Sequence, residues 1–72
     1  MLHVLVWQDN EPGSLYKAPE NNHASAVNLA IELLNKSNFE FNLEEARDYL
    51  ETDGYYTIPL RNFGVYILVS NH

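Results

Sequence analysis

The fold of this chain is decided by the stretch Leu2-His3-Val4-Leu5-Val6-Trp7, a continuous apolar run that contains β-branched residues. Its length, and the turn-forming residues 8–13 that follow it, predict a β-strand. A second predicted strand, Val65–Ser70, is apolar from Val65 to Val69. Both strands therefore carry apolar side chains in both directions, whereas a strand with one face in water should alternate apolar and polar residues.

A first helix is predicted after the start signals at residues 19–22, where an asparagine serves as the N-cap. Its apolar residues recur at the helical spacing i, i+3, i+4, i+7, at Val27, Ala30, Ile31 and Leu34. Further apolar residues widen this stripe on both sides. An apolar arc of this breadth indicates packing on two sides, against a sheet and a second helix.

A second helix is predicted to begin at Asn42, because Asn42-Leu43-Glu44-Glu45 fits a capping box in which the Asn42 side chain accepts from the Glu45 amide. The helix ends at Asp53-Gly54, where the glycine is free to take the left-handed conformation of a helix stop. The residues assigned to its inward face are Leu43, Ala46 and Leu50, with Tyr49 alongside.

Two shorter strands complete the predicted sheet. Ser14–Ala18 returns along the first strand until Pro19 stops it, and Tyr55–Ile58 is an edge strand because Pro59 cannot donate a ladder hydrogen bond. Residues 38–41 form either a very short strand or a connector anchored by two aromatic rings. The order of elements predicts one α+β domain over residues 1–72, a small two-layer structure with an antiparallel sheet of three or four strands and two helices on one face.

The amino-acid composition limits which class of protein the chain can belong to. The chain has 72 residues, of which 46% are apolar, so it is expected to fold alone with one modest core. It contains no cysteine, which favours a reducing compartment. Nothing in it approaches the length of about 20 apolar residues that spans a bilayer, and no signal-peptide pattern is present. We therefore expect a cytoplasmic protein that does not enter a membrane.

The net charge of −6 arises from ten acidic residues against only four basic ones. The basic residues do not cluster, which argues against direct nucleic-acid binding and against a polybasic membrane-binding patch. A charged partner is therefore expected to be basic.

Both faces of the predicted sheet are apolar, but two short helices can cover only one of them. One face should carry Leu2, Val4, Val6, Val65, Ile67 and Val69, and the other His3, Leu5, Trp7, Tyr66 and Leu68, with Tyr55 or Tyr56 nearby. In one interpretation the second set is an exposed aromatic patch that binds another protein or a second copy of the chain. In the alternative, residues outside the central strands fold over it, namely Leu15, Tyr16, Leu60 and Phe63.

The second helix is also strongly acidic, with Glu44, Asp48 and Glu51 on one helical face. Carboxylates at this density resemble the charge spacing of a nucleic-acid strand. They predict either a solvated helix face or an inhibitor that mimics phosphates in a basic groove, a format that phages and other mobile elements could encode.

No motif indicates catalysis, a metal or a cofactor. The three histidines are far apart in sequence and lack metal-ligand spacing, and no glycine-rich phosphate loop is present. We therefore expect a non-enzymatic protein–protein interaction module, an adaptor or an inhibitor. The alternatives are the nucleic-acid mimic and a structural homo-oligomer subunit, in the simplest case a homodimer.

Overall fold

The two apolar runs pair with each other at the centre of a four-stranded antiparallel sheet. The structure is a computed structural model that describes residues 1–70. Its sheet has the order β2-β1-β4-β3, and two helices pack against one face, as the sequence predicts. The elements are β1 (Leu2–Gln8), β2 (Ser14–Lys17), α1 (His23–Lys36), α2 (Leu43–Thr52), β3 (Tyr55–Ile58) and β4 (Phe63–Val69), with a short 3₁₀ turn at Pro59–Arg61.

The register of β1 against β4 separates the apolar side chains into two sets. Val4 lies opposite Ile67 and Val6 opposite Val65, while the residues between them point to the other side of the sheet. The side chains of Val4 and Val65 are completely buried under the helices. We call this side the inner face.

Both helix starts and one helix end follow the sequence signals. The Asn22 side chain accepts a hydrogen bond of 2.8 Å from the Ser25 amide, and the Asn42 side chain accepts one of 2.9 Å from the Glu45 amide. Gly54 takes a left-handed φ of 81°, which an L-residue with a side chain rarely adopts. These local interactions place the two helices over the inner face.

The broad apolar arc of α1 packs against both central strands and against α2, as predicted. In α2, Ala46 and Leu50 are buried, but Leu43 is 50% exposed and Tyr49 is also exposed. The prediction that Leu43 faces inward is therefore wrong. The ring of Phe41 packs against the core at this end of α2, 6.5 Å from the ring of Tyr56.

Residues 38–41 form a connector rather than a strand. The ring of Phe39 meets the ring of Phe63 edge-on at 5.4 Å, which fixes the connector against the start of β4. Phe63 is thus part of the core on the inner face. Across residues 1–70, neither helix has the length and apolar composition that crossing a bilayer requires.

Candidate partner-binding surface

Within residues 1–70, no helix or strand packs on the side of the sheet opposite the helices, and we call this side the outer face. Cross-strand pairing aligns its side chains in rows across all four strands. Its members are His3, Leu5 and Trp7 of β1, Leu15 and Lys17 of β2, Tyr55 and Thr57 of β3, and Gly64, Tyr66 and Leu68 of β4. The predicted set therefore shares one surface, and of the two tyrosines considered it is Tyr55 that joins them.

The residues considered as cover do not close this face. Leu60 is 95% exposed on the 3₁₀ turn, and Phe63 is buried on the inner face. Leu15 pairs with Leu5 and so extends the outer face, while Tyr16 pairs with Val4 and lies on the opposite side. Trp7, Leu15 and Tyr55 are exposed as a result, and the outer face is a continuous apolar surface.

His3 differs from the other predicted contact residues because only 4% of it is exposed. Its Nδ1 atom lies 3.3 Å from the carbonyl oxygen of Met1. In the free chain, His3 offers almost no surface to a partner, so the accessible part of the outer face consists of Leu5, Trp7, Tyr66 and Leu68 with their neighbours on β2 and β3.

The centre of the outer face is flattened by Gly64. A Cβ atom at Gly64 would lie 3.1 Å from both the Cε1 and the hydroxyl oxygen of Tyr66. The Tyr66 ring therefore extends over the position that a side chain would fill. It also stacks on the ring of Tyr55, with 5.9 Å between the ring centres and 19° between the ring planes. We call this pair of stacked tyrosines the aromatic platform.

Trp7 lies beside this platform, because it is opposite Gly64, over which the Tyr66 ring extends. Trp7 is 42% exposed, and within the described part of the chain its indole makes no ring contact and donates no hydrogen bond. A large ring with a free N–H group is the kind of side chain that anchors protein interfaces.

The outer face carries very little charge. Among its described members, Lys17 is the only lysine, arginine or acidic residue. Acidic residues flank the face at several points: Asp9 and Glu11 lie in the exposed turn that follows β1, and the exposed Asp53 precedes Tyr55 by two residues. The result is an apolar surface with acidic residues at its margins.

The acidic residues of α2 lie in the helix layer, on the other side of the molecule. Glu44, Asp48 and Glu51 are all exposed. Within residues 1–70 the only ion pair joins Lys36 to Glu32, at 3.4 Å. The two predicted sites therefore occupy different layers, and one flat partner surface cannot contact both.

Three parts of this surface escaped the sequence analysis: the contribution of Leu15, the platform over Gly64, and the pairing of Tyr55 with Tyr66. All three depend on the strand order and register, which the sequence does not specify. In the described residues, no group of three or more histidine or acidic side chains has a geometry that could hold a metal ion. No protein-family model, no curated protein and no solved structure matches the chain.

Proposed function

We propose that this chain is a non-enzymatic protein–protein interaction module, an adaptor or an inhibitor, that docks its outer face onto a partner protein. The observation that carries the proposal is the exposure of Trp7 beside the Tyr55–Tyr66 platform, on a sheet face that neither helix covers. Contiguous apolar surface on a small protein usually marks an interaction site. Tryptophan and tyrosine are also the side chains most enriched at the energetic centres of interfaces.

The outer face is smaller than a standard interface, which indicates that its rim also contacts the partner. Four strands about 4.8 Å apart span about 19 Å, and a seven-residue strand is about 24 Å long, so the flat area is at most about 450 Å². A standard interface buries about 800 Å² on each partner. The adjoining turn with Asp9 and Glu11 provides additional surface. A partner with an apolar patch bordered by lysine or arginine would complement both parts.

The same charge argument favours a different protein over a second copy of the chain. Two identical copies would each carry a net charge of −6, and neither has a cluster of basic residues to set against the other's acidic turn. A face-to-face homodimer is nevertheless the main alternative, because pairing two outer faces would also bury the aromatic platform.

A second candidate function uses α2. Its exposed carboxylates at Glu44, Asp48 and Glu51 have no cationic neighbour within ion-pair distance in the described residues. This favours the hypothesis of a nucleic-acid-mimicking inhibitor of a protein with a basic groove. Such binding would weaken steeply with salt, whereas binding through the apolar outer face and two rim carboxylates would weaken much less.

The proposal is tested by affinity capture from the native host at low and high salt with matched variants. Trp7→Ser and Tyr66→Ser change the outer face, whereas Leu60→Ser removes an equally apolar, exposed side chain from the 3₁₀ turn. We expect one protein to be captured by the wild type and by Leu60→Ser and lost with both outer-face variants. A protein lost only when Glu44, Asp48 and Glu51 are reversed in charge would favour the mimic.

Sedimentation of the purified chain at two concentrations distinguishes the proposal from the homodimer. The proposal predicts a monomer at both concentrations. A dimer that Trp7→Ser dissociates would replace the proposal with the homo-oligomer.

A further inference from the structure

A cleft of about 340 Å³ runs along the free edge of β3, between this strand and α2. Its lining consists of Glu45 and Tyr49 of α2, Tyr55, Tyr56 and Thr57 of β3, and Pro59. The volume lies at the lower end of the range for ligand-binding pockets, about 300–1,000 Å³. It is large enough for a side chain but not for a folded element.

The main chain along this cleft is available for pairing. The amide of Ile67 donates to the carbonyl oxygen of Gly54 at 2.7 Å, which sets the alternation of the β3–β4 ladder. In that alternation Tyr56 bonds inward to β4, and the N–H and C=O groups of Tyr55 and Thr57 point outward. Among residues 1–70 none of these outward groups has a partner.

The other edge of the sheet provides a comparison. β2 also ends the sheet, but it carries Lys17, and a lysine on an edge strand is a common device against pairing with further strands. β3 has the sequence Tyr-Tyr-Thr-Ile and carries no charged residue. Only its shortness and Pro59 limit pairing there, and they confine it to Tyr55–Ile58.

The chemistry of the cleft suits a cation. Glu45 lines the cleft together with Tyr49 and Tyr56. Burial, and then the negative charge of Glu45, raise the pKa of the Tyr56 hydroxyl, in agreement with this position. The rings of Tyr49 and Tyr56 lie 5.9 Å apart. A carboxylate next to aromatic rings is a favourable environment for lysine or arginine. The nearest basic residue of α2, Arg47, instead contacts Asn28.

We propose that this cleft binds an extended, lysine- or arginine-bearing segment of a partner protein, which pairs with β3 as a fifth strand. The outward groups of Tyr55 and Thr57 bond to the main chain of the segment. One basic side chain of the segment lies between Glu45 and the ring of Tyr49. The inference does not rest on the proposed function, because it involves the edge of the sheet rather than the outer face.

The test is a titration of the isotope-labelled chain, followed by NMR, with the blocked peptide Val-Lys-Val-Lys-Val. We expect the largest amide shifts at Tyr55 and Thr57. The matched peptide with glutamate in place of lysine should bind at least tenfold more weakly, and so should a version N-methylated at alternate amides. Shifts confined to other residues, or equal binding of all three peptides, would overturn the proposal, as would the absence of any shift at millimolar peptide.

Variants distinguish peptide binding at this cleft from partner binding at the outer face. Glu45→Gln should weaken peptide binding about two- to fivefold, since it removes the charge but keeps a side chain that suits this position of a capping box. Glu44→Gln, one residue away on α2 and outside the cleft, is the control and should bind as the wild type does. Trp7→Ser should also leave peptide binding unchanged, even where it abolishes capture of a partner. Equal affinities of Glu45→Gln and wild type would contradict the placement of the basic side chain.

Discussion

The inner and outer faces of the sheet are built from the same strands and are similarly apolar, yet the completely buried strand residues Val4 and Val65 lie on the inner face. In β1, Val4 is completely buried under α1, whereas Trp7 on the other face is exposed. The two faces differ in burial because both helices pack on one side of the sheet, and not because their compositions differ. In a two-layer domain, one set of side chains of an apolar strand can pack in the core while the other set is available for binding a partner.

The two faces also differ in how their aromatic rings are arranged. On the inner face, Phe39 meets Phe63 edge-on within a packed core. On the outer face, Tyr66 lies over Gly64 and stacks on Tyr55, and the Tyr55 side chain is exposed. The first arrangement fills space between layers, and the second leaves ring surface available to another molecule.

The largest expected difference between the faces is in stability. Leu34→Ala removes a completely buried side chain of α1 from the core over the inner face and should lower the free energy of unfolding by about 2–5 kcal/mol. Leu15→Ala removes the same atoms from the outer face, where the side chain is 41% exposed, and should cost less than about 1 kcal/mol. Urea unfolding of both variants measures the two values. Equal losses would mean that the outer face is packed like the core.

A smaller effect is expected from Gly64→Ala, which tests the aromatic platform. The new methyl group would lie 3.1 Å from the ring of Tyr66 and from the Cγ2 of Thr57, so the ring must move and its stacking on Tyr55 is weakened. We expect a loss of about 1 kcal/mol in the free energy of unfolding. The control is the same substitution in a Tyr66→Ala background, where the loss should be smaller because only the close contact with Thr57 remains. An equal or larger loss there would contradict a contact between the Tyr66 ring and the new methyl group.

The smallest effect concerns pH and the inner-face residue Tyr56. Burial, followed by the charge of Glu45, raises its pKa above the ordinary value of 10.0, so the folded state favours the neutral hydroxyl. This contribution to stability is complete below pH 10 and is lost as the pH rises through the folded-state pKa. Urea unfolding at increasing alkaline pH should show the decline in the wild type and in Tyr55→Phe. Tyr56→Phe should show a smaller decline, and an identical one would contradict the assignment.

Much of the fold is predictable from local signals. The caps at Asn22 and Asn42 and the stop at Gly54 identify both helices because each depends on a few neighbouring residues. The inward face of α2 is harder to predict. Helical spacing includes Leu43, but whether a position is covered depends on distant residues, and here Phe41 packs against the core at that end.

The candidate surface is predictable only in part, for a similar reason. Alternation along β1 and β4 separates Leu5 and Trp7 from Val4 and Val6 without any knowledge of the partner strand. Strand order, in contrast, decides that Gly64 lies opposite Trp7 and Tyr55 opposite Tyr66. The burial of His3 and the cleft at β3 likewise arise from packing between distant parts of the chain.

The most direct test of the account is the affinity of the captured partner for Trp7→Ser compared with Leu60→Ser, measured by calorimetry with purified proteins. If the outer face is the docking surface and Trp7 its anchor, Trp7→Ser should weaken binding by about 30-fold or more, the effect of removing an interface hot spot. Leu60→Ser should stay within about twofold of the wild type, because surface positions outside the contact contribute little. Equal affinities of Trp7→Ser and wild type would contradict the account.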